Sequence, residues 1–129
     1  MTARKGAGRP VAPPERSRRS KYGVDTSDAG KAARTVDGRL FASKREAARY
    51  VVLRTAERAG LIRDLECQVR YDLHAPDGTA IGRYVADFRY YWTETGRPVT
   101  EDVKGAKTDL YRWKKKHTEA EHNVTIWEI

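Results

Sequence analysis

The chain has 129 residues and only one cysteine, Cys67. An intrachain disulfide is therefore excluded, and so is a zinc site built on several thiolates. Histidine is almost as scarce: His74, His117 and His122 are the whole supply, and they do not fall at metal-ligand spacing. No apolar run approaches the ~18 residues that a membrane-spanning helix needs. The basic N-terminal stretch also lacks the apolar segment of a secretory leader. These absences lead us to expect a soluble, cytoplasmic protein in a reducing compartment, with no membrane partner.

Negative charge is scarce in one place only. Residues 1–22 carry seven Lys/Arg (Arg4, Lys5, Arg9, Arg16, Arg18, Arg19, Lys21) against Glu15, an excess of +6. The whole chain has 26 basic and 18 acidic residues, so the remainder holds 19 against 17 and the +8 net charge is largely a property of the tail. A basic stretch rich in Pro and Gly, with almost no large apolar residues, cannot bury enough surface to fold. Residues 1–25 are therefore expected to be a disordered arm, and residues 26–129 the folded domain. Arg16, Arg18, Arg19 and Lys21 suit an arm that follows a phosphate backbone; a merely solubilising extension is the plain alternative. Lys114 and Lys115, in the run 114–116, are secondary candidates for DNA contact, or simply a solvated helix face.

Within the domain, GKAARTVDGRLFAS reads as a short extended or hairpin element turning at Asp37-Gly38. A helix is predicted over 44–59. Ser43 is its N-cap, Ser43-Lys44-Arg45-Glu46 fits a capping box, Ala47/Val51 and Ala48/Val52/Ala56 form its apolar stripe, and Gly60 stops it. Strands follow at 65–74, 81–92 and 99–105, turning at Asp77-Gly78 and in TETGRP. A second helix, capped by Thr108, covers 109–121 with Leu110, Trp113, His117 and Ala120 inward, His117 being read as a packed core residue. A last strand lies within 123–129. Short turns make the first three strands an antiparallel meander, and a strand returning after a helix can lie parallel to the third. The fold class is thus α/β in the α+β sense: helix, three-stranded meander, helix, strand, a mixed sheet with a helix on each side.

The meander sets Asp87, inside the apolar run YVADFRYY, beside Asp102 in TEDVKG. Two carboxylates brought together in a partly buried place repel unless a cation lies between them, and Mg²⁺ is the hard ion held by a few carboxylates, water and substrate phosphate. Strand alternation puts Lys104 on the face of Asp102, with Glu101 and Val103 facing away. A lysine there can orient an attacking water or stabilise developing charge. The plain alternative for Asp102 and Lys104 is a surface ion pair worth ~0–1 kcal/mol. Gln68 reads as a strand-surface glutamine, although it could hydrogen-bond near the site.

Four blocks, KYG at 21–23, SKREAARY at 43–50, YVADF at 84–88 and EDVKG at 101–105, resemble the PD-(D/E)XK nuclease superfamily, and more closely its small phage-borne, Holliday-junction-resolvase-like branch. The resemblance covers residues 21–129 and departs at Ala86, where the superfamily's name has proline. It implies a restriction-endonuclease-like core and a Mg²⁺-dependent endonuclease acting on branched DNA, with Mn²⁺ able to substitute. It further implies Asp87, Asp102 and Lys104 as catalytic residues, Glu46 as an additional acid and metal ligand, and the Val103 carbonyl as a further ligand. Glu46 as a helix cap alone stays open beside that role. Cutting two strands in concert would call for a homodimer. The other readings are a single-strand exonuclease and a non-catalytic nucleic-acid-binding protein.

Overall fold

The computed structural model describes residues 24–104 and 107–129. Arg16, Arg18, Arg19 and Lys21, and the arm up to residue 23, lie outside the described residues. Asp25 is tied to the domain: the buried Arg34 guanidinium donates to the Asp25 carbonyl at 3.2 Å and to the Phe41 carbonyl at 2.8 Å.

A short helix, α1 (Asp28–Ala33), opens the domain. It replaces part of the extended element expected there, because Ser27 accepts the Gly30 N–H and caps it. The hairpin of β1 (Thr35–Val36) and β2 (Arg39–Leu40) follows as expected. Asp37 and Gly38 turn it with φ of 52° and 74°, the left-handed pair that a two-residue hairpin loop requires.

Helix α2 (Lys44–Arg58) begins where Ser43 accepts the Glu46 N–H and ends at Gly60. There the Gly60 N–H reaches the Glu57 carbonyl and the Leu61 N–H the Ala56 carbonyl, a Schellman closure that a left-handed glycine permits. Its buried face is Glu46, Ala47, Tyr50 and Leu53. Of the expected stripe, Ala47 is buried and Ala56 packs against the core, whereas Ala48, Val51 and Val52 are exposed.

The sheet runs β3 (Ile62–His74), β4 (Ala80–Trp92), β5 (Pro98–Asp102) and β6 (Ile126–Glu128) in that spatial order. The first three strands are antiparallel and β6 is parallel to β5. Helix α3 (Asp109–His122), capped by Thr108, connects the last two. It buries Tyr111 and Thr118, whereas the anticipated Leu110 and Trp113 are exposed. The result is a mixed α+β domain whose four-stranded sheet is flanked by helices.

Two clusters form the core. Phe41, Ala47, Tyr50, Leu53, Ile62, Phe88 and Tyr90 gather under α2, while Val69, Tyr71, Leu73, Tyr84, Ala86, Tyr111 and Ile126 gather under α3. The long β3–β4 hairpin serves both. Cys67 and Phe88 pack on the α2 side, but Val69 and Ala86, two residues away on each strand, pack on the α3 side. Strict alternation would have kept each pair on one face. The switch falls at Gln68 and Asp87, and Gln68 adopts a left-handed φ of 55°.

Candidate functional site

Strand β5 separates two charged networks by simple alternation. Glu101 points toward α2, where Arg49 grips it in a fork at 2.8 and 2.6 Å and the Tyr90 hydroxyl donates to it. Asp102 points the other way and accepts from the Tyr84 hydroxyl, while the Lys104 Nζ lies 3.2 Å from its Oδ1. Both carboxylates are fully buried. The strand ends at Asp102, earlier than the expected residue 105. Its backbone is nevertheless held beyond that point: the Ile129 N–H donates to the Asp102 carbonyl, and Arg45 of α2 donates to the Lys104 carbonyl at 2.8 Å and to that of Ile129 at 3.1 Å.

Asp87 is brought to Asp102 by continuing the register in which Phe88 faces Glu101. Its Oδ2 accepts the Val103 N–H at 2.7 Å. Burial, first, and then the neighbouring Asp102 carboxylate push the Asp87 carboxyl up to about 8. Two buried carboxylates this close cannot both be charged at low cost without a cation beside them.

Glu46 approaches from the first turn of α2, with its Oε2 2.8 Å from Gln68 Nε2. Its carboxyl is also raised, chiefly by burial, opposed by the Ala42 backbone and reinforced by the Asp102 charge. Among the described residues no hydrogen bond returns from this carboxylate to Ser43, so only the Ser43 half of the capping box forms. Gln68 is exposed, as expected of a strand-surface glutamine, and its side chain is also the one that holds Glu46.

Glu46, Asp87, Asp102, Lys104 and the Val103 backbone are thus brought to one place. Val103 meets the site through its N–H, and its side chain packs toward α2. Lys115, anticipated as a DNA contact, lies 3.7 Å from Glu128, and Lys114 is half-buried beside it on α3. The three acids offer only hard oxygen donors, which suits Mg²⁺ or Mn²⁺. Among the described residues they are not drawn together into a ready-made cage; the Asp102 oxygens are engaged by Tyr84 and Lys104.

Several neighbours escaped the sequence reading. Glu128 is opposite Asp102 on β6, extending the carboxylate row from β4 to β6. It is held down to about 2, first by Lys107 and then by Tyr111. Its position follows from parallel pairing, which no local pattern encodes. The Lys104 ammonium sits over the Tyr111 ring, 4.2 Å from its centre. Burial pushes the Tyr84 and Tyr111 phenols upward, so both remain hydrogen-bond donors. Elsewhere, the three histidines meet at Glu121. His74 Nδ1 is 2.6 Å and His117 Nε2 3.1 Å from its oxygens, with His122 Nε2 at 3.8 Å. His117 is therefore a half-exposed polar partner and not the core residue expected.

Among the described residues no helix is long and apolar enough to cross a membrane. A family model described as "Protein of unknown function (DUF1064)" matches residues 19–127. The match spans most of the chain, so the chain belongs to that family. No curated protein and no solved structure matches it significantly.

Proposed function

We propose that this member of the DUF1064 family is a metal-dependent deoxyribonuclease that hydrolyses phosphodiester bonds in branched, Holliday-junction-like DNA, with Mg²⁺ as its ion and Mn²⁺ as a substitute. The observation that carries the reading is the convergence of Asp87, Asp102 and Lys104 on one buried spot. Asp87 accepts the Val103 N–H at 2.7 Å and feels the Asp102 charge beside it, and Lys104 Nζ lies 3.2 Å from Asp102 Oδ1. Two neighbouring buried carboxylates mark a place where a cation would balance charge.

Asp87, Asp102 and Glu46 would hold the ion, with the Val103 carbonyl as an added oxygen. When bound, the ion supplies a nucleophilic water at neutral pH and charge for the phosphoryl oxygens. The chain's own groups do the rest. Tyr84 fixes the Asp102 carboxylate, Gln68 fixes Glu46, and Arg45 pins the backbone that carries Lys104. Lys104 places a positive charge where the attacking water and the transferring phosphoryl group would meet. A domain this small has little surface for reading a long sequence, which favours recognition of backbone and shape. Paired cuts on a junction require two such sites and hence a homodimer.

The test is incubation of the full chain with junction, linear duplex and single-stranded DNA in Mg²⁺, Mn²⁺ or EDTA. The expected result is metal-dependent cleavage, preferentially of the junction, that is lost in Lys104→Ala while divalent-ion binding by calorimetry persists. Wild-type cleavage by Lys104→Ala, in a preparation free of other nucleases, would remove the basis for the assignment.

A further inference from the structure

A broad groove lies at the outer side of β5 and is not part of the acidic site. It has a volume of about 890 Å³ and is lined by Arg49, Arg89, Arg97, Tyr91, Trp92 and Trp127, among others. Three arginines face it, against the single acidic side chain of Glu101. Arg49 is committed to Glu101, and Arg89 to Glu66 at 2.8 Å. Arg97 is exposed and has no carboxylate partner among the described residues. Two of the chain's three tryptophans open onto this groove with large exposed rings, Trp92 at 46% and Trp127 at 58%.

Trp92 meets the core only through an edge-on contact with Tyr90, and the wide exposure of both indoles beside cations costs solubility, so it needs another account. Flat aromatic rings next to arginines form a stacking platform for nucleobases together with a track for phosphates. Only unpaired bases can use it, because a duplex offers base edges in its grooves and keeps base faces stacked inside. The groove is also placed to serve the acidic site. Residues 98–101 of β5 line it, and Asp102 follows directly, so the middle of the groove lies roughly 10 Å along the strand from the carboxylate pair.

We infer that this groove binds an unpaired DNA strand, with bases stacked on Trp92 and Trp127 and phosphate held by Arg97. The inference deepens the nuclease reading by adding a single-stranded segment to the substrate, such as one exposed at a branch. It differs from binding through the basic arm, because stacking is largely insensitive to salt whereas phosphate contacts are weakened by it.

The experiment uses the full chain in EDTA, so that binding is read without cleavage. An oligothymidylate about 12 nucleotides long, within the site sizes of single-strand binders, is titrated at raised salt while tryptophan fluorescence is followed. Wild type should be quenched. Trp92→Ala and Trp127→Ala should each weaken binding by roughly 5- to 100-fold, the equivalent of one lost base–aromatic stack. Trp113→Ala, on α3 away from the groove, should bind as wild type does. Arg97→Ala should weaken binding and flatten its salt dependence. All four side chains are exposed, and an unchanged melting curve verifies the fold of each variant. Wild-type affinity in both groove tryptophan variants would overturn the inference, as would an equal loss in Trp113→Ala. Quenching through the groove without cleavage under any metal condition would leave the groove standing and remove the nuclease reading. Cleavage of junctions with unaltered oligothymidylate binding in the groove variants would do the reverse.

Discussion

Replacing Glu101 by glutamine should cost stability and spare the acidic site, whereas the adjacent Asp102→Asn should do the opposite. Glu101 is 1% exposed and receives two hydrogen bonds from Arg49 and one from the Tyr90 hydroxyl. Removing one partner of a buried ion pair costs about 3–5 kcal/mol, because the remaining charge is left desolvated. Here the stranded charge is Arg49, whose side chain is 27% exposed and can be partly rehydrated. Glutamine also keeps an oxygen for Tyr90. The expected loss is therefore nearer 2–3 kcal/mol, a fall in melting temperature on the order of 10 °C for a domain of about 100 residues. Arg49→Met should be worse, since it leaves the fully buried Glu101 uncompensated. Asp102→Asn loses the pair with Lys104, whose side chain is 26% exposed and can be rehydrated, but it keeps an acceptor for Tyr84 and relieves like charge beside Asp87, so its melting temperature should change little. The assay is thermal and urea unfolding of the three variants in EDTA, set beside divalent-ion titration. A Glu101→Gln protein as stable as wild type, or an Asp102→Asn protein less stable than Glu101→Gln, would refute the division of β5 into a structural face and a functional one.

The pH dependence of the metal-free protein should be unusual. Asp87 is raised to about 8 from 3.8, so between those values the folded state keeps a proton that the unfolded chain has released. Stability must then fall as pH rises from about 4 to about 8, and Asp87→Asn should flatten that fall in urea titrations across the range. Glu46→Gln should lower cleavage at limiting Mg²⁺ with little change in melting temperature, since Gln can still face Gln68 and Ser43 still caps the helix; an unchanged rate would leave Glu46 without a role in the site. Gly30→Ala should destabilise by about 1–3 kcal/mol, because its Cβ would lie 2.5 Å from Asp25 Cγ and 2.7 Å from the Asp25 carbonyl; calorimetric unfolding measures this directly.

Features written in a few consecutive residues were legible. Asp37-Gly38 and Asp77-Gly78 turn hairpins, and Ser43 and Thr108 cap helices, because each effect is settled by neighbours within four residues. The inward faces of the helices were not legible. Both α2 and α3 carry apolar residues on more than one side, and the sheet they meet chooses Tyr50 and Leu53 over Val51 and Val52, and Tyr111 over Leu110 and Trp113. Helix α1 escaped because six residues leave too short a pattern to distinguish from an extended segment. Asp87, Asp102 and Lys104 could be grouped from strand alternation and one short turn. Glu128 could not, since its place opposite Asp102 depends on how β6 returns after α3. Nor could the histidines, which reach Glu121 only when the end of β3 meets α3.

Gln68 ties these two levels together. A glutamine in a strand pattern predicts nothing special, yet its left-handed backbone stands where β3 and β4 change the side on which they bury their residues. The change lets Phe88 and Tyr90 pack under α2 while Tyr84 and Ala86 pack under α3. Asp87, between them, lies at the crossing, close to Asp102 on one side and within electrostatic reach of Glu46 on the other. A strictly alternating β4 would hold Tyr84 on the same face as Phe88, out of reach of Asp102, and the carboxylate would lose the hydroxyl that orients it. The irregularity is thus what allows residues from α2, β4 and β5 to meet. It also explains why the Gln68 side chain, carried on the same kink, is the group that receives Glu46.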